Sequence, residues 1–210
     1  MSRDDRAAGF TMIELIVTLT IFSVLVALTV PSMRTWIANA KVRAVADSLQ
    51  NGVRMAQTEA LRRSRLVVFA LTNSTTPQSG GFTAAAGGSY WAIQTIPAMT
   101  DGTETPVVVA SGVLLSAGTP VTISATSPAA ICFNSAGRLV PVAQAATGVG
   151  AACTAPTVPT TPAGITVPTF IYNISQSPLA DRQLDVEVGL GGQMHLCDPT
   201  QQLSSTPYGC

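Results

Sequence analysis

The chain has 210 residues, eleven basic and eleven acidic side chains, one histidine and a formal net charge of zero. That balance excludes a nucleic-acid partner recruited by bulk charge, and the length allows one membrane segment plus one globular domain of ordinary size. Charged residues make up only 10% of the sequence against 47% hydrophobic ones, so the positions of the few charges carry most of the information.

In chain order, a polar stretch, MSRDDRAAG (1–9), precedes Phe10 to Val30, an almost unbroken apolar run with Glu14 as its single charge. At 1.5 Å per residue the run makes about 31 Å of helix, the thickness of a bilayer core. A secretory signal peptide would have a shorter apolar part and an A-x-A-like site after it. Here PSMRTWIANAK follows and continues as helix, so the segment is expected to be retained. Flanking charges orient it poorly: Arg3 and Arg6 are offset by Asp4 and Asp5, while Arg34, Lys41 and Arg43 follow the span. The positive-inside count therefore leans weakly towards a cytoplasmic C-terminal domain, and the cysteines of that domain outweigh it in the other direction.

A carboxylate inside a membrane span costs a few kcal/mol, less near the interface than at the centre. Glu14 gains a purpose if the chain is cut between Gly9 and Phe10, because a new amine then appears four residues before it. A cation at a helix N-terminus is unfavourable, and a carboxylate close by relieves it. Pro31 either kinks the helix, by removing the hydrogen bond to the Ala27 carbonyl, or opens a second helix at its first turn. Thr18, Thr20, Ser23, Ala27 and Thr29 are small or hydroxylated positions that permit close helix packing in lipid.

Beyond Pro31, apolar residues recur at Met33, Ile37, Val45, Leu49 and Val53, the stripe of an amphipathic helix that ends near Arg63 to Arg65. Seven basic residues lie between Arg34 and Arg65 (Arg34, Lys41, Arg43, Arg54, Arg62, Arg63 and Arg65) against Asp47 and Glu59. Beyond Arg65, Arg138 and Arg182 face six acids, so a basic stalk carries a mildly acidic head. Strands are predicted at 65–72, 90–96, 105–115, 120–125, 130–134, 138–142, 169–174, 182–188 and 192–197, from β-branched and aromatic residues between turn formers. Two hairpins stand out, AICFN–SAG–RLVPV and DVEV–GLGG–QMHLC. The predicted fold is α+β: a long N-terminal helix, transmembrane then amphipathic, packed on a C-terminal antiparallel β-rich head. Thr and Pro alternate over 154–168, which predicts an extended, exposed loop.

Four cysteines, Cys132, Cys153, Cys197 and Cys210, lie in the C-terminal half with no CxxC pair. With His195 as the single histidine, a zinc site is poorly supported, and an even cysteine count in an exported domain points to two disulfides. Three connectivities are open. The pairs Cys132–Cys153 and Cys197–Cys210 are favoured because each closes a loop lacking a strong core segment, stabilising the fold by roughly 3 kcal/mol apiece. One histidine, few acids in the head and no nucleophile motif nominate no enzyme and no cofactor.

Gly9-Phe10-Thr11-x-x-Glu14, the apolar run and Pro31 together resemble the prepilin N-terminus shared by type IV pilins and type II secretion pseudopilins. That resemblance implies a leader at 1–9, cleavage after Gly9 by a prepilin peptidase and N-methylation of Phe10. It further implies pairing of Glu14 with the amine of a neighbouring subunit as helices bundle into a filament. The implied divisions are 10–30 as the transmembrane half of the helix, 31–64 as its amphipathic half and 65–210 as a disulfide-stapled head. QTEALRRSRLVVF, CFNSAGRLV and GGQMHLCDP resemble the GspH/FimT/FimU branch of minor pilins and pseudopilins. The implied function is a minor pilin of a type IV pilus, with a type II secretion pseudopilin as the alternative and a DNA-uptake pilin as a further one. Implied partners are the peptidase, other minor and major pilins and the inner-membrane assembly platform; the implied location is the bacterial inner membrane, then the periplasm and the surface pilus. DNA-uptake members of the branch carry Gly-Arg-x-Arg in the last hairpin, where Gly192-Gln193-Met194-His195 stands here. Without those arginines, DNA binding is disfavoured.

Overall fold

In a computed structural model of the chain, residues 10–77, 81–98, 103–116, 120–157 and 168–210 are described. One helix, α1 (Met12–Arg63), runs for 52 residues and is followed by a head of eight strands. The helix starts where Thr11, in an extended conformation, accepts a hydrogen bond on its Oγ1 from the Glu14 N–H. It stops at Ser64, which takes the left-handed conformation (φ 51°). There the Ser64 N–H reaches the Leu61 carbonyl and the Arg65 N–H the Ala60 carbonyl, each at 3.2 Å, which satisfies carbonyls the last turn leaves unpaired. Position 31 lies inside this continuous helix, so Pro31 does not open a second one.

Ala38, Val42, Val45, Ala46, Leu49, Val53, Ala56 and Ala60 are buried, a stripe at three- and four-residue steps that seats the helix on the head. The expected stripe needs correction at its start. Met33 and Ile37 are 56% and 44% exposed because the head begins to cover the helix only at Ala38. Gly52 lies on the contact side: a Cβ there would stand 3.0 Å from the Phe69 ring and 3.1 Å from that of Trp91. Its bare backbone lets the helix approach closely, at a cost of about 1 kcal/mol in helix propensity.

The strands are β1 (Val67–Thr72), β2 (Tyr90–Thr95), β3 (Val108–Val113), β4 (Thr122–Ile123), β5 (Ala130–Phe133), β6 (Thr169–Ser175), β7 (Leu184–Gly189) and β8 (Met194–Cys197), with a short α2 (Gln144–Thr147) between β5 and β6. They form two four-stranded antiparallel sheets, ordered β3-β2-β1-β5 and β4-β6-β7-β8. The main core joins the helix stripe to Val67, Phe69, Leu71, Ile93, Ile131 and Phe133 of the first sheet and to Tyr172, Ile174, Val186 and Val188 of the second.

The first sheet is covered on both faces. Val68, Ala70, Ala92, Ala130 and Cys132 point away from α1 and pack under Val149 and Cys153, in a second, smaller core. Burial on both faces explains why LVVFAL reads as a continuous apolar run, whereas TFIYNIS on β6 alternates buried and half-buried positions. Segment 138–142, expected as a strand, is not one. It makes isolated bridges, Leu139 with Phe133 and Val142 with Cys153. Its neighbouring donors diverge, Val140 N–H to Cys132 and Leu139 N–H to Leu190, and Pro141 has no N–H to extend a ladder.

Candidate functional site

Two places stand out, the uncovered half of α1 and the end of the head where two turns meet the helix. From Phe10 to Ile37, large apolar side chains lie exposed: Phe10 is 84% exposed, Ile13 72% and Leu28 71%. By length and composition this stretch is long and apolar enough to cross a membrane, and none of its most apolar window is buried within the chain. Glu14 sits in the first helical turn behind the Thr11 cap, where the helix dipole favours a negative charge. Phe10, immediately before the cap, is also exposed. Gly9 and the leader 1–9 lie outside the described residues, as does most of the Thr/Pro stretch, 158–167.

The polar residues of this apolar half look after themselves. Thr18, Thr20, Ser23, Thr29 and Ser32 each donate their hydroxyl to the carbonyl three residues back, at 2.8–3.1 Å. Further along, the basic stalk is partly neutralised. Glu59 takes both Arg62 and Arg63, whose hydrogen bonds hold its carboxyl below the usual range, and Arg65 pairs with Glu104.

At the far end of the helix, Gln57 ties three elements together. Its Nε2 donates to the Gly137 carbonyl of the β5 turn at 2.9 Å and lies 3.5 Å from the Gly191 carbonyl of the β7–β8 turn. Gly192 (φ +80°) has no room for a Cβ, which would run into the Gln57 side chain and the Gly137 carbonyl. The sequence marks the glycines as turn formers, but nothing in it marks Gln57 as their common partner.

The closing hairpin pairs Glu187 with His195 and Asp185 with Cys197. Asp185 accepts a 2.6 Å hydrogen bond from Asn173, yet burial pushes its carboxyl up to about 6 against that bond, with Glu187 and Asp198 adding repulsion. Burial also raises the Glu187 carboxyl, opposed by His195. The motif reading passed over both acids, although counting across the GLGG turn sets Glu187 opposite His195. His195 faces a carboxylate and Gln193 is uncharged, so the hairpin puts no arginine at either position of the DNA-uptake pattern. The structure joins Cys132 to Cys153 and Cys197 to Cys210.

Among solved structures, the chain is similar to the Pseudomonas aeruginosa type IV minor pilin FimU. One crystal form shows 14% identity and a TM-score of 0.41, covering 76% of this chain and 94% of that one. Another shows 13% and 0.44, covering 77% and 92%. The minor pseudopilin EpsH of the Vibrio cholerae type 2 secretion system has 13% identity and a TM-score of 0.40, covering 77% and 99%. No curated protein matches. Residues 4–30 match the model of the prokaryotic N-terminal methylation motif. Residues 45–168, more than half of the chain, match the model described as type II transport protein GspH, and the chain belongs to that family of pilin-like proteins.

Proposed function

We propose that this chain is a minor pilin, a low-copy structural subunit of a type IV pilus initiation or tip complex rather than an enzyme. One observation carries the reading: a membrane-length apolar half-helix continues without a break into the helix half that seats on a stapled head, and that head leaves the apolar half uncovered, with Glu14 as its single charge. In this reading a prepilin peptidase removes residues 1–9 and methylates the Phe10 amine. Residues 10–30 hold the subunit in the inner membrane with head 65–210 in the periplasm, and 31–64 carry the head. A carboxylate in lipid requires a cation, and the new amine of the same or an adjacent subunit supplies it, which selects the axial step between helices. Sibling pilins and the inner-membrane assembly platform are the partners, and Pro31 is a point where the helix yields during packing.

Glu14→Ala is expected to leave membrane insertion intact while excluding the protein from sheared filaments. Gly9→Val is expected to leave the full-length precursor; loss of nine residues in that variant would refute the cleavage assignment. A second reading, the tip pseudopilin of a type II secretion system, is favoured by the type II transport description of the family. Deletion separates the two: lost twitching with normal secretion supports the pilus, and lost secretion with normal twitching supports the pseudopilus.

A further inference from the structure

On the face of the second sheet turned away from α1, β7 and β8 assemble a donor set that the filament reading does not use. Val186 and Val188 point into the core, so the alternating Asp185 and Glu187 share the outer face with their cross-strand partners Cys197 and His195. A carboxylate oxygen of Glu187, a ring nitrogen of His195 and Cys197 Sγ all lie within 4.8 Å of one another. Cys197 is bonded to Cys210, so a second sulfur adjoins this group of three. Unlike Asp185, which is held by Asn173, Glu187 is buried with no hydrogen bond or ion pair from any described residue. His195 is exposed and gives the set an open side.

We propose that the Cys197–Cys210 disulfide masks a zinc site, and that its reduction lets Glu187, His195, Cys197 and Cys210 bind one Zn²⁺. Two thiolates, one imidazole and one carboxylate are a zinc-type set, too soft for calcium or magnesium. With bonds of about 2.0–2.3 Å, the edges of a tetrahedral site span roughly 3.3–3.8 Å, so Glu187, His195 and Cys197, already within 4.8 Å of one another, need draw only slightly closer, and the Cys210 sulfur freed by reduction supplies the fourth donor. The chemistry balances. A dithiol reductant attacks one sulfur of the bridge, its second thiol displaces the other, and the reductant leaves as a disulfide. The protein gains two electrons and two protons as two thiols. Zinc then releases those two protons to solvent and partly neutralises three negative donors.

In the closed form the sulfurs are spent on each other, so disulfide and metal exclude one another. Access favours this bridge for reduction, since Cys132 and Cys153 are both buried while Cys210 is half-buried. Either staple, sulfur or metal, holds residues 198–210 against β8.

The test uses the full-length protein in detergent micelles, oxidised or treated with a dithiol and desalted without air. Reduced protein is expected to take one equivalent of Co²⁺, with thiolate charge-transfer and tetrahedral d–d absorption displaced by Zn²⁺, and oxidised protein to show neither. Competition against a chromophoric chelator should show zinc affinity falling about tenfold or more in Glu187→Gln and in His195→Ala. In reduced wild type, zinc should shield Cys197 and Cys210 from alkylation but not Cys132 and Cys153, a readout that needs no variant to fold. Equal binding by oxidised and reduced protein, affinity unchanged in both variants, or shielding of Cys132 and Cys153 instead would overturn the proposal.

Discussion

The two halves of α1 share one backbone geometry and have opposite surfaces. Before Ala38 the large apolar side chains face outward on all sides; from Ala38 onward the buried positions form one stripe in which alanine and glycine are interspersed with larger residues. The first half is apolar all round, which suits a lipid or multi-helix environment. The second is amphipathic, which suits a fixed partner. Secondary structure therefore does not distinguish anchor from scaffold here. The angular spread of apolar residues does, together with their size where the head comes close.

The sharpest way to break that comparison is a pair of matched truncations. Leu49→Ala is expected to destabilise the head by about 2–5 kcal/mol, since Leu49 is fully buried. Leu19→Ala is expected to leave the unfolding midpoint of the head unchanged in denaturant melts of the micellar protein. Equal shifts would mean that the two halves are not energetically separate. A smaller effect is expected from Gln57→Leu, which strands the Gly137 carbonyl at a cost of about 1–3 kcal/mol. Hydrogen exchange should then quicken at Gly192 and Leu139 while the centre of β1 stays protected. Smallest, and of opposite sign, is Ser64→Gly, which relieves a left-handed residue and is expected to raise stability by about 0.5–1 kcal/mol. A lower melting temperature in Ser64→Gly would mean that the serine side chain contributes more than its backbone costs.

Some of this was readable from residues alone. AGFTMIEL combines residue types that an ordinary anchor lacks and lies within the stretch that matches the N-terminal methylation motif, and the run of β-branched segments yields the strands of the head. Ala38, Ala46, Ala56 and Ala60 were missed as contact residues because pattern reading weights large apolar side chains, while close packing selects small ones. Segment 138–142 looked like a strand by composition, but its bonds are shared between β5 and the β7–β8 turn, which is settled by tertiary position. Asp185 and Glu187 of LDVEV are buried, and no local pattern records how a sheet face is sheltered.

The five back-bonded hydroxyls of the apolar half-helix carry a last consequence. Their donors are spent within the helix, so its flank offers a neighbour steric bumps but little polar code from Leu15 to Met33. Two such rods could slide or rotate past each other through many nearly equivalent alignments. If the chain assembles as proposed, a single acid at one end would act as an index mark, and a polymer of these rods would keep lateral slip and axial precision as separately adjustable properties.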